Sequence, residues 1–219
     1  MTRLAFIALC LLMFTLPALA EDAKPNTLTD EEKKAGFVLM FDGEKLGDWV
    51  PNESPESWKV IDGAIVTVGT RSHMYYMGGE NKGVFKNFEF RAQVKQHEKS
   101  NAGIYIHAKH IKTGWPTEAG YECQICSDSY GDPKKTGSVY NFKNLDKSPV
   151  KDGEWYDYHI IVKDKTVTIK LNGQVVNEYT EKDPAKSRLN GGYFAFQCHD
   201  PKSKIEFRTI RVKAEDEKK

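Results

Sequence analysis

The chain has 219 residues, and its 32 Lys and Arg residues nearly balance its 31 Asp and Glu residues, which gives a formal net charge of +1. This length suits one domain, or two small ones, with a hydrophobic core that needs no disulfide framework. Because the basic residues are spread along the chain, the composition argues against nucleic acid or a polybasic membrane surface as the main partner.

The first twenty residues, MTRLAFIALCLLMFTLPALA, combine one Arg, an apolar run and small residues at the end. This pattern predicts a secretory signal peptide over residues 1–20, cleaved after Ala20. The apolar run is short for a membrane span and no second one follows, so no span is expected after cleavage. We therefore expect a secreted or periplasmic protein; an uncleaved N-terminal anchor is the alternative.

Residues 21–35 are predicted to form a polar linker and one short helix. Thr29 and Glu32 have the spacing of a capping box, and Gly36 is a typical helix stop. At the other end of the chain, residues 214–219 read as a charged tail.

From Phe37 onward the hydrophobic period is two, which is typical of β-strands. The clearest example is the stretch in which Phe88 and Phe90 fall on one face, and Asn172-Gly173 marks a hairpin turn between two later strands. The pattern gives about a dozen strands and little other helix. It predicts an all-β fold, a jelly-roll sandwich of two antiparallel sheets over residues 36–213.

Three of the predicted strands carry a polar row opposite an apolar row, because successive side chains alternate between faces. The polar members are Asn101, His107, Glu122, Gln124, Gln197 and His199. If the three strands are neighbours, one patch forms from Asn101, Glu122, Gln124, Gln197 and His199. The alternative is an ordinary solvent-facing side of a sheet.

The cysteines do not make a metal or redox motif, although Cys123 and Cys126 have Cys-x-x-Cys spacing. Residues three apart in a strand point to opposite faces, so these two cannot chelate one metal or bond to each other. Cys123 and Cys198 share the core-facing parity, which leaves two alternatives: two buried thiols or one disulfide between neighbouring strands.

Two aromatic residues in loops are candidates for contact with a sugar. Trp115 precedes the Glu122 strand, and an indole can stack on the C–H face of a pyranose; a side chain folded back onto the core is the alternative. Tyr140 follows the same strand and is expected in its neighbourhood.

Several segments occur in an order that resembles the 3-keto-disaccharide hydrolase domain family, formerly a domain of unknown function. They are GFVLMFDGEKLGDW, NFEFRAQVK, SNAGIYIHA, GYECQICSD, KTGSVY, GEWYDYHIIVKDKTVTIKLNGQVV and AFQCHDPKSKIEFRTIRV. The resemblance runs from about Thr29 to Lys213, and it implies a concanavalin A-like jelly roll.

The resemblance also implies cleavage of glycosides oxidised at C3. The C3 ketone acidifies the C2 hydrogen, a base removes it, the C1 substituent leaves, and water adds back. By the same resemblance, Glu122 is the candidate base and His199 the candidate acid or enolate donor. The substrate-binding candidates are Asn101, Gln124, Tyr140, Gln197, Trp115, His107 and Arg208. Arg208 could equally form a structural salt bridge.

No cofactor is certain from the sequence. A divalent metal ion is compatible with the resemblance, with Glu122, Asp128 and His199 as candidate ligands. The leading function is a secreted enzyme that acts on 3-keto-glycosides. A non-catalytic, lectin-like carbohydrate-binding module is the alternative, and a structural domain of the cell envelope is a third.

Overall fold

The computed structural model describes residues 24–215, and two antiparallel β-sheets packed face to face dominate this part of the chain. The predicted jelly-roll sandwich is therefore confirmed. The expected signal peptide, the first residues of the linker and most of the charged tail lie outside the described residues. Within residues 24–215, no helix is both long enough and apolar enough to cross a bilayer.

The larger sheet has eight strands. In spatial order they are β11 (Gln174–Thr180), β10 (Thr166–Leu171), β9 (Tyr156–Lys163), β6 (Phe88–Gln96), β13 (Ile205–Ala214), β4 (Ala64–Thr67) and β3 (Trp58–Ile61), with β1 (Val38–Leu39) pairing to β13. The smaller sheet has five strands. They are β2 (Trp49–Pro51), β5 (Ser72–Tyr76), β12 (Tyr193–Cys198), β7 (Asn101–Ala108) and β8 (Tyr121–Cys126).

The core lies between the sheets and is rich in aromatic rings. Phe88 and Phe90 of β6 are fully buried, as the alternating pattern predicts. From the smaller sheet, Phe196 stacks on Phe207 of the larger sheet with ring centroids 4.1 Å apart. Burial of each such ring contributes roughly 1.5–3 kcal/mol, so these contacts fix how the two sheets align.

The short helix α1 (Asp30–Lys34) begins with the predicted capping box: Glu32 N donates to Thr29 Oγ1, and Thr29 N donates to Glu32 Oε2. Glu32 also accepts a bond from Arg211 Nε on β13 at 2.6 Å. The helix therefore docks against the larger sheet.

All three cysteines of the described residues are free and buried. This confirms buried thiols rather than a disulfide between Cys123 and Cys198. Burial raises the pKa of the Cys126 thiol to about 12, and it raises the pKa of Cys123 as well. These thiols stay protonated near neutral pH and serve as small apolar core groups.

Strand β7 does not alternate strictly, and the exception is His107. This residue has a left-handed φ of 51°, and the pairing of β7 with β12 shifts register beside it. Gly120 and Gly192 press against the bulge: a Cβ on Gly192 would lie 2.5 Å from the His107 carbonyl carbon. A bulge of this kind moves a side chain to the other face of the strand.

Candidate active site

Three neighbouring strands, β12, β7 and β8, bring the polar rows together on the outer face of the smaller sheet. Gly103 lies opposite Gln124 and Tyr105 opposite Glu122. Together with two loops, these strands line a cleft of about 460 Å³, which is a typical size for a small-molecule site. Its walls include Asn101, Trp115, Glu122, Gln124, Tyr140, Gln197 and His199.

The carboxylate of Glu122 lies at the floor of this cleft. Tyr105 donates its hydroxyl to Oε2 at 2.8 Å, and Gln197 donates Nε2 to Oε1 at 2.7 Å. Burial raises the pKa of Glu122 to about 7, although the bonds from Tyr105 and Gln197 oppose the shift. A carboxylate with this pKa exchanges a proton readily near neutral pH, as a general base must.

Amide oxygens surround the carboxylate and lack partners. Within residues 24–215, Asn101 Oδ1, Gln124 Oε1 and Gln197 Oε1 are buried and accept no hydrogen bond. Leaving such a group unpaired costs about 1–3 kcal/mol, and native folds rarely tolerate it without a reason. Ligand hydroxyls entering the cleft would supply the missing donors.

His199 follows the end of β12 and is oriented by two partners. Its Nδ1 lies 2.9 Å from Asp200 Oδ2 and 3.3 Å from the Tyr130 hydroxyl, and Tyr130 also donates to Asp200 Oδ2 at 3.0 Å. Within the described chain, Nε2 makes no hydrogen bond. The Asp200 carboxylate can accept a hydrogen bond from Nδ1, which leaves Nε2 as the ring nitrogen available to a ligand.

Trp115 forms part of the rim, with 39% of its surface exposed and its ring centroid 5.2 Å from that of His199. Its loop is tied to Glu53, which accepts bonds from Thr113 Oγ1 at 2.6 Å and Gly114 N at 3.1 Å. Burial opposes ionisation of Glu53, but these donors and Arg71 outweigh it and hold its pKa at about 2. The indole ring is thus held in place and partly exposed.

Tyr140 enters the cleft from the segment after β8. Its hydroxyl donates to Asp132 Oδ2 at 2.9 Å, and the Lys134 ammonium lies 4.3 Å from the ring centroid. Burial, together with the bond to Asp132, raises the pKa of Tyr140 to about 12. The phenol is therefore neutral, and its oxygen can still accept a bond from a ligand hydroxyl.

Comparison with known proteins assigns the chain to a protein family. The sequence profile described as the 3-keto-alpha-glucoside-1,2-lyase-like domain matches residues 36–213. The chain belongs to this 3-keto-disaccharide hydrolase family. Membership and the cleft geometry agree on a glycoside-processing function with carbohydrate as the partner. No protein of curated function matches the chain.

Solved structures agree with this assignment. A candidate glycosyl hydrolase from Parabacteroides distasonis ATCC 8503 superposes with a TM-score of 0.74 at 26% identity, covering 88% of this chain and all (100%) of its own. A second one from that organism gives 0.65 at 21%, covering 82% and 99%. The carbohydrate-binding module CBM66 from Bacillus subtilis gives 0.56 at 10%, covering 76% and 96%. The last two show the fold alone.

Two predicted substrate-binding residues lie outside the cleft of this family member. The bulge turns His107 inward, so its ring packs against Phe88 at 5.8 Å and Nε2 bonds to the Lys86 carbonyl oxygen at 2.8 Å. Arg208 lies on β13 of the larger sheet, where it stacks over Trp155 at 4.0 Å and donates Nε to Gln93 Oε1 at 2.8 Å. Both placements are structural, and the two predictions are corrected.

The candidate metal ligands do not come together. The exposed Asp128 is not part of the cleft wall, and its Oδ1 accepts a bond from Ser148 N at 2.7 Å. Across residues 24–215, no group of three His, Cys, Asp or Glu side chains could hold a metal ion. Glu122, Asp128 and His199 therefore do not fit a divalent cation as a set.

Tyr105 and Arg188 are two of the cleft residues that the sequence pattern did not single out. Tyr105 shares the strand parity of Asn101, so the alternation could have found it, but an aromatic ring is more typical of the core. Arg188 comes from the segment between β11 and β12 and donates Nη1 to the Gly120 carbonyl oxygen at 3.2 Å. Its guanidinium carbon lies 5.4 Å from the Phe142 ring centroid. Nothing local in the sequence marks it.

Gly103 is the residue that lets Glu122 lie across the floor. A Cβ at this position would come within 2.7 Å of Glu122 Cγ and 2.9 Å of Cδ. We expect Gly103→Ala to displace the carboxylate and lower kcat about 10–100-fold, since a shift of ~1 Å can cost that much. The far-UV circular dichroism spectrum should stay unchanged. Gly131→Ala, where the added methyl meets open space, is the matched control, and equal activity of both variants would contradict the assigned fit.

Proposed function

We propose that this protein cleaves 3-keto-glycosides, including 3-keto-disaccharides, by elimination followed by hydration. The observation that carries the proposal is the Glu122 carboxylate, with a pKa raised to about 7, at the floor of a cleft surrounded by unpaired amide oxygens. Family membership supports a 3-keto-glycoside as the substrate class. The glycosyl hydrolase likeness supports net hydrolysis.

In the first half of the proposed reaction, Glu122 takes the C2 proton of the sugar, and the electron pair forms an enolate with the C3 carbonyl. Collapse of the enolate breaks the C1–oxygen bond, and His199 gives a proton to the departing oxygen. This leaves an enone with a C1–C2 double bond. In the second half, water adds its hydroxide to C1, returns a proton to His199, and C2 regains its proton from Glu122.

Amide side chains suit the rest of the sugar. Asn101, Gln124 and Gln197 offer acceptors for ligand hydroxyls, and Tyr140 offers one more. Because the three amide oxygens are buried and unpaired, each bond that they accept from a ligand satisfies an unpaired polar atom rather than replacing a bond to water. These bonds would orient the C2–H bond toward Glu122 and so favour cleavage of the sugar over binding alone.

The decisive test is incubation of purified mature protein with a 3-keto-glucoside and with its unoxidised parent glucoside. We expect sugar release from the ketone alone, because only the ketone acidifies C2. Release from both compounds would point to ordinary glycosidase chemistry. No release from either would reject the enzyme.

A carbohydrate-binding module is the second candidate, and exposed aromatic rings favour it. Trp115 is 39% exposed and Phe142 is 43% exposed, and both line the cleft. Saturable binding of unoxidised sugars, measured by calorimetry, together with no turnover of 3-keto-glucosides would support this alternative. The buried carboxylate would then have no role in chemistry.

Trp115→Ala tests whether the indole binds the sugar or takes part in the chemical step. Loss of stacking on the rim should raise KM about tenfold, which corresponds to about 1.4 kcal/mol, while kcat changes by less than about twofold. Trp115→Phe, which keeps an aromatic face, should restore most of the affinity. A fall in kcat with KM unchanged would show that the indole acts in the chemical step instead.

We also propose that the protein works outside the cytoplasm. The support is the pattern of residues 1–20, whose Arg, apolar run and Ala-Leu-Ala match a cleaved secretory signal. N-terminal sequencing of the protein recovered from the cell envelope or medium should begin at Glu21. Recovery in the cytoplasm with Met1 intact would reject export.

A further inference from the structure

A second cavity shares His199 with the cleft but does not include Glu122. It has a volume of about 550 Å³ and is lined by the turn after β8 and the turn after β12. Its wall includes Lys99, Tyr130, Gly131, Pro201 and Lys202. His199 lines both cavities, whereas Glu122 lines only the first.

His199 therefore forms a partition between two spaces. Its imidazole is held through Nδ1 by Asp200 and by the Tyr130 hydroxyl, and Tyr130 belongs to the second cavity. In the proposed reaction the base acts on C2 of the oxidised sugar and the acid acts on the oxygen at C1. A substrate that satisfies both must have its oxidised ring beside Glu122 and its glycosidic oxygen beside His199. The remainder of the molecule then extends past His199.

The second cavity has the chemistry of a site for a hydroxylated ring. Tyr130 and Pro201 offer apolar surface, on which the C–H face of a pyranose can pack. Lys99 and Lys202 are exposed at the edge, and within the described chain neither side chain has an ion-pair partner. Their ammonium groups are free to donate to sugar hydroxyls. A cavity of this size accommodates a ring of that kind.

We propose that this cavity is the leaving-group subsite and takes the second sugar ring of a 3-keto-disaccharide. The assignment rests on the proposed function and goes further by naming where the departing sugar binds. It predicts that a second pyranose contributes to binding through residues that do not touch the oxidised ring. A methyl 3-keto-glucoside should be a poorer substrate than a 3-keto-disaccharide for this reason alone.

Gly131→Phe tests the assignment by filling the cavity. A Cβ at Gly131 has no atom within 4 Å, and the residue does not have a left-handed φ, so an aromatic side chain can be added without backbone strain. We expect kcat/KM for the disaccharide to fall at least about tenfold. The value for the methyl glycoside should stay within about twofold of wild type. Gly131→Ala, which adds only one methyl group to the same wall, should lower the disaccharide value far less than Gly131→Phe does.

A second variant avoids added volume. Lys99→Ala combined with Lys202→Ala removes two exposed ammonium groups and should raise KM for the disaccharide about fivefold, with KM for the methyl glycoside unchanged. This double variant carries the test if Gly131→Phe does not fold, which its melting temperature would reveal.

The outcomes separate the subsite from the reaction itself. If wild type cleaves both substrates and the variants affect them equally, or affect neither, the subsite assignment is overturned while the reaction stands. The same holds if wild type shows no preference for the disaccharide. If wild type cleaves neither substrate, the proposed function fails and the subsite assignment fails with it.

Discussion

Glu122→Gln is expected to abolish turnover of a 3-keto-glucoside and, with it, the exchange of the C2 hydrogen for solvent deuterium. The amide keeps the shape of the side chain but cannot take a proton. A positioned base contributes about 10²–10⁴-fold to a rate, so kcat should fall by at least about 10³-fold if Glu122 is the only base. Proton NMR in D₂O measures exchange and turnover in one sample.

Gln124→Ala provides the matched control, because Gln124 lies on the same face of β8 but is not assigned a proton. This variant should bind the substrate more weakly and still exchange the C2 hydrogen at saturating substrate. Exchange at the wild-type rate in Glu122→Gln would show that another group removes the proton. Loss of turnover with exchange retained would move Glu122 to a later step.

The raised pKa of Glu122 also sets a pH dependence. The proposed base must be ionised, so the acid limb of the kcat/KM profile should rise with pH through about 7. Burial is the largest cause of the raised pKa of Glu122 and the Asp132 carboxylate adds to it, whereas the hydrogen bonds from Tyr105 and Gln197 lower that pKa. Tyr105→Phe should therefore move the acid limb to higher pH, since it removes a donor to the ionised form.

The stability of the fold should also depend on the ionisation of Glu122. It should fall as pH rises, whereas kcat/KM should increase. The folded pKa of Glu122, about 7, exceeds the ordinary glutamate value of 4.5, so the folded state binds the proton more tightly than the unfolded chain. This contribution to the free energy of unfolding is fully present below pH 4.5 and is lost as pH rises through about 7. Each tenfold difference in proton affinity between the folded and unfolded states corresponds to at most about 1.4 kcal/mol.

Buried histidines complicate the raw stability curve. Burial lowers the pKa of His73 and His107 to about 4, so their contribution is lost as pH falls and runs against that of Glu122. The informative quantity is therefore the difference between wild type and Glu122→Gln. Urea unfolding at several pH values should show wild type losing stability relative to the variant between about pH 5 and pH 8.

The alternation of side chains predicted most of the fold and part of the site. Phe88 and Phe90 of β6 face the core, and Asn172-Gly173 forms the turn between β10 and β11, as expected. The same alternation placed Glu122 and Gln124 on one face. It could not show that β12, β7 and β8 are neighbours, because strand order depends on contacts between distant segments.

The incorrect prediction for His107 and the missed residue Arg188 have local causes that the alternation of side chains does not show. His107 follows the parity of Tyr105 in sequence, but the left-handed backbone at this residue turns it to the core. Room for that turn comes from Gly120 and Gly192, which are distant in the chain. Arg188 reaches the cleft from a loop with no pattern of its own. Each depends on backbone geometry or on a long-range contact.

His199→Gln is expected to slow release of a poor leaving group far more than release of a good one. In the proposed reaction the imidazole, held by Asp200 and Tyr130, gives a proton to the departing oxygen, and an alkoxide leaves very slowly without it. We expect kcat for a 3-keto-disaccharide to fall about 10²–10³-fold. For a 4-nitrophenyl 3-keto-glucoside, whose leaving group is stable as an anion, the fall should be less than about tenfold.

Deuterium exchange distinguishes this role from general damage to the cleft. Because Glu122 is untouched in His199→Gln, the C2 hydrogen should still exchange with solvent, and exchange should now outrun sugar release. Asp200→Asn, which removes the partner of Nδ1 but leaves the imidazole, should show the same dependence on leaving group with a smaller loss. Equal losses for both substrates would mean that His199 acts on the enolate rather than on the departing oxygen. Glu122 and His199 would then both act in the step that forms the enolate. His199 would still lie between the cavity for the oxidised ring and the cavity for the departing sugar.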